Sequence, residues 1–193
     1  MYDLRITITF LDYWHCGSGE SGGNEADALV VRYDKGAKKG LPYVPAKTLK
    51  GLMREMAEAN SSITCKALQQ WFGNTADKSN KCYEKDEIPN NETITHLSNA
   101  DIQEHIEEKN IPYLFKTFKN TRLENGIAKD KTLRETEAVV PLTLCAAFTG
   151  IEADPSQLGH LENAIKSIKR IGLNRNRGMG RCEVTTEVIK VRA

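Results

Sequence analysis

The chain has 193 residues, with 27 Lys+Arg against 26 Asp+Glu and a formal net charge of +1, so any polyanion site has to be local. At 39% hydrophobic and 27% charged it has an ordinary core to bury, which excludes the disordered class. No run of 18 apolar residues occurs, and Met1-Tyr-Asp-Leu-Arg places charges where a secretory segment needs apolar side chains. These features predict one domain over residues 1–193, cytoplasmic and without membrane contact.

Leu4 to Phe10 alternates apolar and polar side chains and predicts a half-buried strand. A glycine-rich stretch, Trp14 to Gly23, leads into Ala28 to Tyr33, read as a second strand forming an N-terminal hairpin with the first. Pro42 and Pro45 end the extended part, and Leu49, Leu52, Met53 and Met56 at helical spacing predict a helix ending near Asn60. Ala67 to Phe72 reads as a short helix. Thr75 to Glu92 is polar, and residues 75–110 together are expected to be an insertion or mobile segment within the domain. Inside it, Ser98 to Lys109 suggests an acidic helix capped by Ser98 or Asn99. Tyr113 to Leu123 and Ala138 to Ile151 read as β segments, with Asn125-Gly126 as a turn between them. Pro155 to Arg170 is an amphipathic helix using Leu158, Leu161, Ile165 and Ile168, and Glu183 to Val191 is a final strand. Without the hairpin partner and the insertion, the order is β-α-β-β-α-β, an α+β fold of the ferredoxin-like (RRM-like) class.

Five widely spaced cysteines without C-x-x-C argue against a disulfide framework, and Cys65, Cys82, His96 and His105 match no common zinc spacing, so no structural metal is expected. The charges are more informative. Lys35 to Arg54 holds six bases and no acid, and Asn163 to Cys182 repeats that count, whereas Glu84 to Glu108 holds eight acids and one lysine. If the basic windows meet, they form a polyanion face; if not, they are two solvated surfaces.

Two motifs fall in those windows. Ile171 to Arg181 is a G-x5-G-x-G loop in which Gly172, Gly178 and Gly180 permit positive φ, and Arg175, Arg177 and Arg181 add bidentate donors. It lacks the Lys-Ser/Thr ending of a P-loop and follows a helix rather than a strand, which excludes Walker or Rossmann nucleotide binding. Gly40 to Arg54 sets Lys47, Lys50 and Arg54 around a helix N-terminus, where anions are favoured. The plain alternatives are a helix-to-strand turn and a capped, solvent-facing helix.

In chain order, His15-Cys-Gly-Ser-Gly19, Asp27-Ala-Leu-Val-Val-Arg32, Gly40-Leu-Pro-Tyr-Val-Pro45 with Leu49-Lys-Gly51, Trp71-Phe-Gly73, Thr121 to Arg134 and the loop at Gly172 to Gly180 resemble the RAMP superfamily of CRISPR-associated proteins. The resemblance is strongest to the repeated backbone subunits of type III effector complexes and covers roughly half of the chain. Ala46-Lys47 stands where the family usually has Gly-Ser, and Ala28-Leu29 replaces Asn-Pro. The resemblance implies a thumb-like β-hairpin at Thr121 to Arg134 and guide (crRNA) and target RNA as partners, with further copies of the chain and other effector subunits. It implies an endoribonuclease that cuts target RNA at regular intervals by 2′-OH attack, with Asp27 catalytic and Mg²⁺ or Mn²⁺ as cofactor. RNA-binding residues would be His15, Lys47, Lys50, Arg54, Arg122, Lys131, Arg134, Arg175, Arg177 and Arg181. Two alternatives stand beside it: a metal-free RAMP nuclease processing guide precursors through His15, and a non-catalytic RNA-binding scaffold with Asp27 idle. The sequence shows no paired aromatics of the RNP type, so backbone contacts should dominate recognition.

Overall fold

In a computed structural model of the chain, Leu4, Ile6, Ile8 and Phe10 of strand β1 (Tyr2–Phe10) are buried while Arg5 stays exposed, as period-two alternation requires of a strand with one covered face. The residues described are 1–17, 19, 27–74, 82, 95–121, 123–124, 127–128 and 132–191. β1 is followed by helices α1 (Ala46–Ala59) and α2 (Cys65–Phe72), the short strand β2 (His96–Leu97) and a 3-10 turn at Glu108–Leu114. Next come β3 (Phe115–Asn120), β4 (Leu123–Glu124), β5 (Ile127–Ala128), β6 (Arg134–Val139), β7 (Thr143–Ile151), α3 (Pro155–Lys166), a 3-10 turn at Arg175–Arg177 and β8 (Cys182–Val191).

The main sheet runs β2-β7-β1-β8, antiparallel throughout. With α1 between β1 and β2 and α3 between β7 and β8, this is the β-α-β-β-α-β order expected from the sequence, but its second strand is β2 and not Tyr113 to Leu123, whose strand β3 belongs to a separate two-stranded sheet. Leu49, Met53 and Ala57 of α1 and Leu158, Leu161 and Ile165 of α3 are buried in the same core as the inward residues of β1. Asp154 caps α3 by accepting from Gln157 N–H, and Thr64 caps α2 by accepting from Ala67 N–H. The thumb is a separate hairpin: β3 pairs with β6, and β4 with β5 on either side of Asn125-Gly126, which lies outside the described residues.

Several further expectations are corrected. Ala28 to Tyr33 is not a hairpin partner of β1, because β7 and β8 already occupy both edges of that strand. The segment is extended but held by single bridges, from Ala28 to Thr136, Val30 to Gly17 and Arg32 to Pro42. Ser98 to Lys109 is not an acidic helix. His96 and Leu97 pair with Thr149 and Phe148, Ala100 bridges Val44, Asp101 bridges Cys145, and Leu97, Ala100 and Ile102 are buried. Sheet pairing prevails there over local charge pattern, and Asn99, expected to cap that helix, instead accepts through Oδ1 from Ala46 N–H at the start of α1. The insertion expected over 75–110 therefore does not extend through 95–102, while 75–81 and 83–94 lie outside the described residues. The single β segment expected at Ala138 to Ile151 is divided, β6 ending at Val139 and β7 starting at Thr143, with Pro141 between them.

The last correction is chemical. Cys65 and Cys82 form a disulfide with a sequence separation of 17, leaving Cys16, Cys145 and Cys182 free. Of the five cysteines, thiol titration of the denatured, unreduced protein should find three. Reduction should lower stability by about 3 kcal/mol, as loop closure of this length contributes, seen as a lower melting temperature with reductant than without. Five thiols before reduction would contradict the pairing.

Candidate functional site

The loop leaving β1 is fixed on two sides by backbone hydrogen bonds. Trp14 N–H and Val139 N–H donate to each other's carbonyls at 3.1 and 2.8 Å, tying it to the thumb base. Gly180 N–H donates to Tyr13 O at 2.7 Å and Leu173 N–H to His15 O at 2.8 Å, tying it to the glycine loop. A Cβ on Gly172 would overlap the His15 carbonyl, and one on Gly180 the Ile171 carbonyl, while their φ values are +99° and +71°. Only glycine brings these backbones so close at that conformation. Gly178, at φ +89° with open space around it, is required by conformation alone.

Between this seam and α1 lies a cleft of about 530 Å³, lined among others by His15, Gly17, Lys47, Thr48, Glu55 and Arg175. Lys47, Thr48, Gly51, Leu52 and Glu55 form one stripe of α1, as 3.6 residues per turn dictates. The buried residues Leu49, Met53 and Ala57 form another. Lys50 and Arg54 do not line the cleft. Arg54 donates to Glu58, 2.7 Å away, and to the Gly73 carbonyl at 3.1 Å, and Lys50 is half-buried, its pKa lowered by burial and by the Arg54 charge.

The two basic windows therefore meet, but through Lys47 and Arg175. Pro45 offers no side-chain cap to α1 and its first turn contains no acid; Asn99 takes the Ala46 N–H, and the positive end of the helix is shared with Lys47 and Thr48. Arg175 approaches Glu55 at 3.9 Å. Arg177 is exposed in the 3-10 turn, and Arg181, exposed at the foot of β8, pairs with Asp12 at 3.1 Å. Arg134 is exposed at the start of β6, opposite Asn120 of β3. Arg122 and Lys131 lie outside the described residues.

Asp27 stands at the thumb base. Its N–H donates to the Glu135 carbonyl at 2.9 Å, and its Oδ2 accepts from Glu135 N–H at 2.7 Å, so the aspartate docks onto the first residues of β6. It is exposed, and among the described residues only one of its carboxylate oxygens is engaged. Two residues on, Glu137 is nearly buried and joins three segments. Its carboxylate pairs with Arg32 and accepts from Val30 N–H at 3.0 Å, and its carbonyl oxygen accepts from His15 Nδ1 at 2.6 Å. Arg32 also lies over the Phe115 ring, 3.6 Å from its centroid.

Glu137 and Glu55 were not singled out from the sequence, and Gly17 entered only within the His15-Cys-Gly-Ser-Gly19 motif. Glu55 lies eight residues after Lys47 on the same helical face, a signal the charge count passed over. Glu137 is one acid in a charged strand and gave no local signal.

A family model described as the RAMP superfamily matches residues 7–183. One solved structure, described as the cryo-EM structure of the Type III-B Cmr-beta bound to cognate target RNA, matches with TM-score 0.69 and 11% identity. It covers 96% of this chain and 97% of that chain. Another, the Type III-B Cmr-beta in its apo state, matches with TM-score 0.65 and 11% identity, covering 98% of each chain. No curated protein matches the chain. At these identities the structural likeness speaks to the fold.

Proposed function

Because the chain belongs to the RAMP superfamily, we propose that it is the guide-RNA-binding backbone subunit of a type III CRISPR effector complex, assembled with further copies of itself and other effector subunits. The observation that carries this reading is the meeting of Lys47 and Arg175 at the start of α1, beside a glycine loop that lets backbone approach backbone. Phosphate oxygens suit such a cleft, because its donors are cationic or lie at the positive end of a helix. That one matched structure is described with cognate target RNA supports RNA as the polyanion.

A backbone subunit makes a specific stoichiometric demand. Native mass spectrometry with synthetic RNAs of increasing length should show one more copy bound for each constant increment of RNA. A single copy bound regardless of length would reject the backbone reading.

For target cleavage, Asp27 is the candidate residue. No cluster of three or more His, Cys, Asp or Glu side chains suited to a metal occurs among the described residues. A single exposed carboxylate with one oxygen left unengaged nevertheless fits Mg²⁺ or Mn²⁺, since such ions commonly take one or two protein carboxylates and complete their shell with phosphate oxygens and water. When bound, the ion supplies Lewis-acid polarisation of a phosphoryl oxygen. Asp27 is held for this task by its two hydrogen bonds to Glu135, which place the carboxylate where the thumb meets the loop after β1. The ribose 2′-OH beside the scissile phosphate attacks phosphorus, leaving a cyclic phosphate and a 5′-OH.

A further inference from the structure

His15 has a defined tautomer. Its Nδ1 lies 2.6 Å from the Glu137 carbonyl oxygen, which has no proton to give, so Nδ1 carries the proton and donates. Neutral His15 therefore bears a bare lone pair on Nε2. The side chain is only 2% exposed, yet it lines the cleft with Lys47, Thr48 and Arg175, and Nε2 has no protein partner among the described residues. Gly17 keeps that edge uncovered. A Cβ there would lie 3.2 Å from Nε2.

A buried acceptor is out of place in a cleft otherwise furnished with donors. The Lys47 ammonium, the Arg175 guanidinium and the amides at the start of α1 are served by phosphate oxygens. A phosphate offers nothing to a lone pair. Glu55 is also an acceptor, but Arg175 lies 3.9 Å from it. The Thr48 hydroxyl can turn to donate or accept and so selects neither. The group that donates a hydrogen bond next to every RNA phosphate, and is missing from DNA, is the ribose 2′-hydroxyl.

We propose that Nε2 of His15 accepts a hydrogen bond from a 2′-OH of the strand held in the cleft, and that this contact makes the cleft prefer RNA over DNA. The proposal rests on the reading of the cleft as an RNA site. Lys47 and Arg175 would hold either polymer, and His15 tells ribose from deoxyribose. Glu137 is the positioning residue, since its carbonyl sets which nitrogen faces the ligand.

The test is fluorescence anisotropy with a labelled RNA oligonucleotide and the DNA of the same sequence, on the unmodified protein, His15→Asn and Gly17→Ala. The amide nitrogen of Asn occupies the place of Nδ1, so His15→Asn keeps a donor for Glu137 O and removes only the Nε2 acceptor. Gly17→Ala keeps His15 and covers Nε2 instead; the Gly17 backbone is not in the positive-φ region, so alanine is tolerated there. One neutral hydrogen bond corresponds to a preference for RNA of about fivefold to tenfold in the unmodified protein. The RNA-to-DNA affinity ratio should fall to about one in His15→Asn and fall partway in Gly17→Ala. If His15→Asn does not fold, as a thermal melt would show, the ratio in Gly17→Ala decides. Equal affinities in the unmodified protein, or a preference surviving in the variants, would overturn the role of His15 while leaving RNA binding intact. Failure of the unmodified protein to bind either polymer would overturn the RNA reading, and this proposal with it.

Discussion

Asp27→Asn is expected to slow metal-dependent cleavage of target RNA by roughly 100-fold or more, because loss of a metal-holding carboxylate forfeits several kcal/mol of transition-state charge stabilisation. RNA affinity should stay the same or rise slightly, since a carboxylate only repels phosphate. Asparagine is the informative replacement here. Its side-chain oxygen still accepts from Glu135 N–H, so the anchorage of the thumb survives while the charge is lost. Asp27→Ala removes both, and any further loss of RNA binding in that variant measures the anchoring contribution. The assay uses the assembled complex with a guide–target duplex, in Mg²⁺ or Mn²⁺ and then in chelator. Full activity of Asp27→Asn would sink the catalytic assignment. Cleavage that persists in chelator and vanishes in His15→Asn would transfer it to the histidine-based processing chemistry, and no cleavage by any form would leave the non-catalytic scaffold.

The second large effect is on stability. Gly180→Ala combines a positive φ of +71° with a Cβ driven into the Ile171 carbonyl, a backbone atom that cannot swing away. Strain and overlap together should cost roughly 3 kcal/mol or more, equivalent to about 10 °C in melting temperature for a chain of this size. Gly178→Ala, with a positive φ but open space, should cost about 1 kcal/mol. Thermal melts of the two variants side by side check the argument. Equal, small shifts would mean that the seam between the glycine loop and the exit of β1 is not as tight as its hydrogen bonds indicate.

These glycines show what could be read in advance. G-x5-G-x-G announced positive φ and close approach, and the structure supplies what is approached: His15 and Ile171 carbonyls. β1, α1 and α3 were legible because one face of each is covered, so periodicity maps onto burial. Ala28 to Tyr33 misled because a run of β-branched and apolar residues says that a segment is extended, not which strand it joins. Ser98 to Lys109 misled because its acids suggest a solvated helix, whereas Leu97, Ala100 and Ile102 complete the sheet edge and the core. In the basic windows, residue counts left open whether the two surfaces meet and through which residues. Lys47 lines the cleft, whereas Arg54 is taken up by Glu58 and the Gly73 carbonyl and Lys50 does not line it. Cys65 and Cys82, and the convergence of three segments on Glu137, depend on distances that spacing along the chain does not encode.

The central claim is that phosphates sit between Lys47 and Arg175, and the salt dependence of RNA binding measures this directly. For single strands, each neutralised phosphate contributes about 0.7 to the slope of log K against log salt. The double variant Lys47→Ala/Arg175→Ala should therefore flatten that slope by about 1.4 and weaken binding with little dependence on RNA sequence. Lys50→Ala/Arg54→Ala, which removes the same charge from α1 side chains that do not line the cleft, should leave the slope nearly unchanged while lowering the melting temperature through the lost Glu58 and Gly73 contacts. If the two pairs flatten the slope equally, or the Lys50/Arg54 pair flattens it more, the RNA does not run through this cleft.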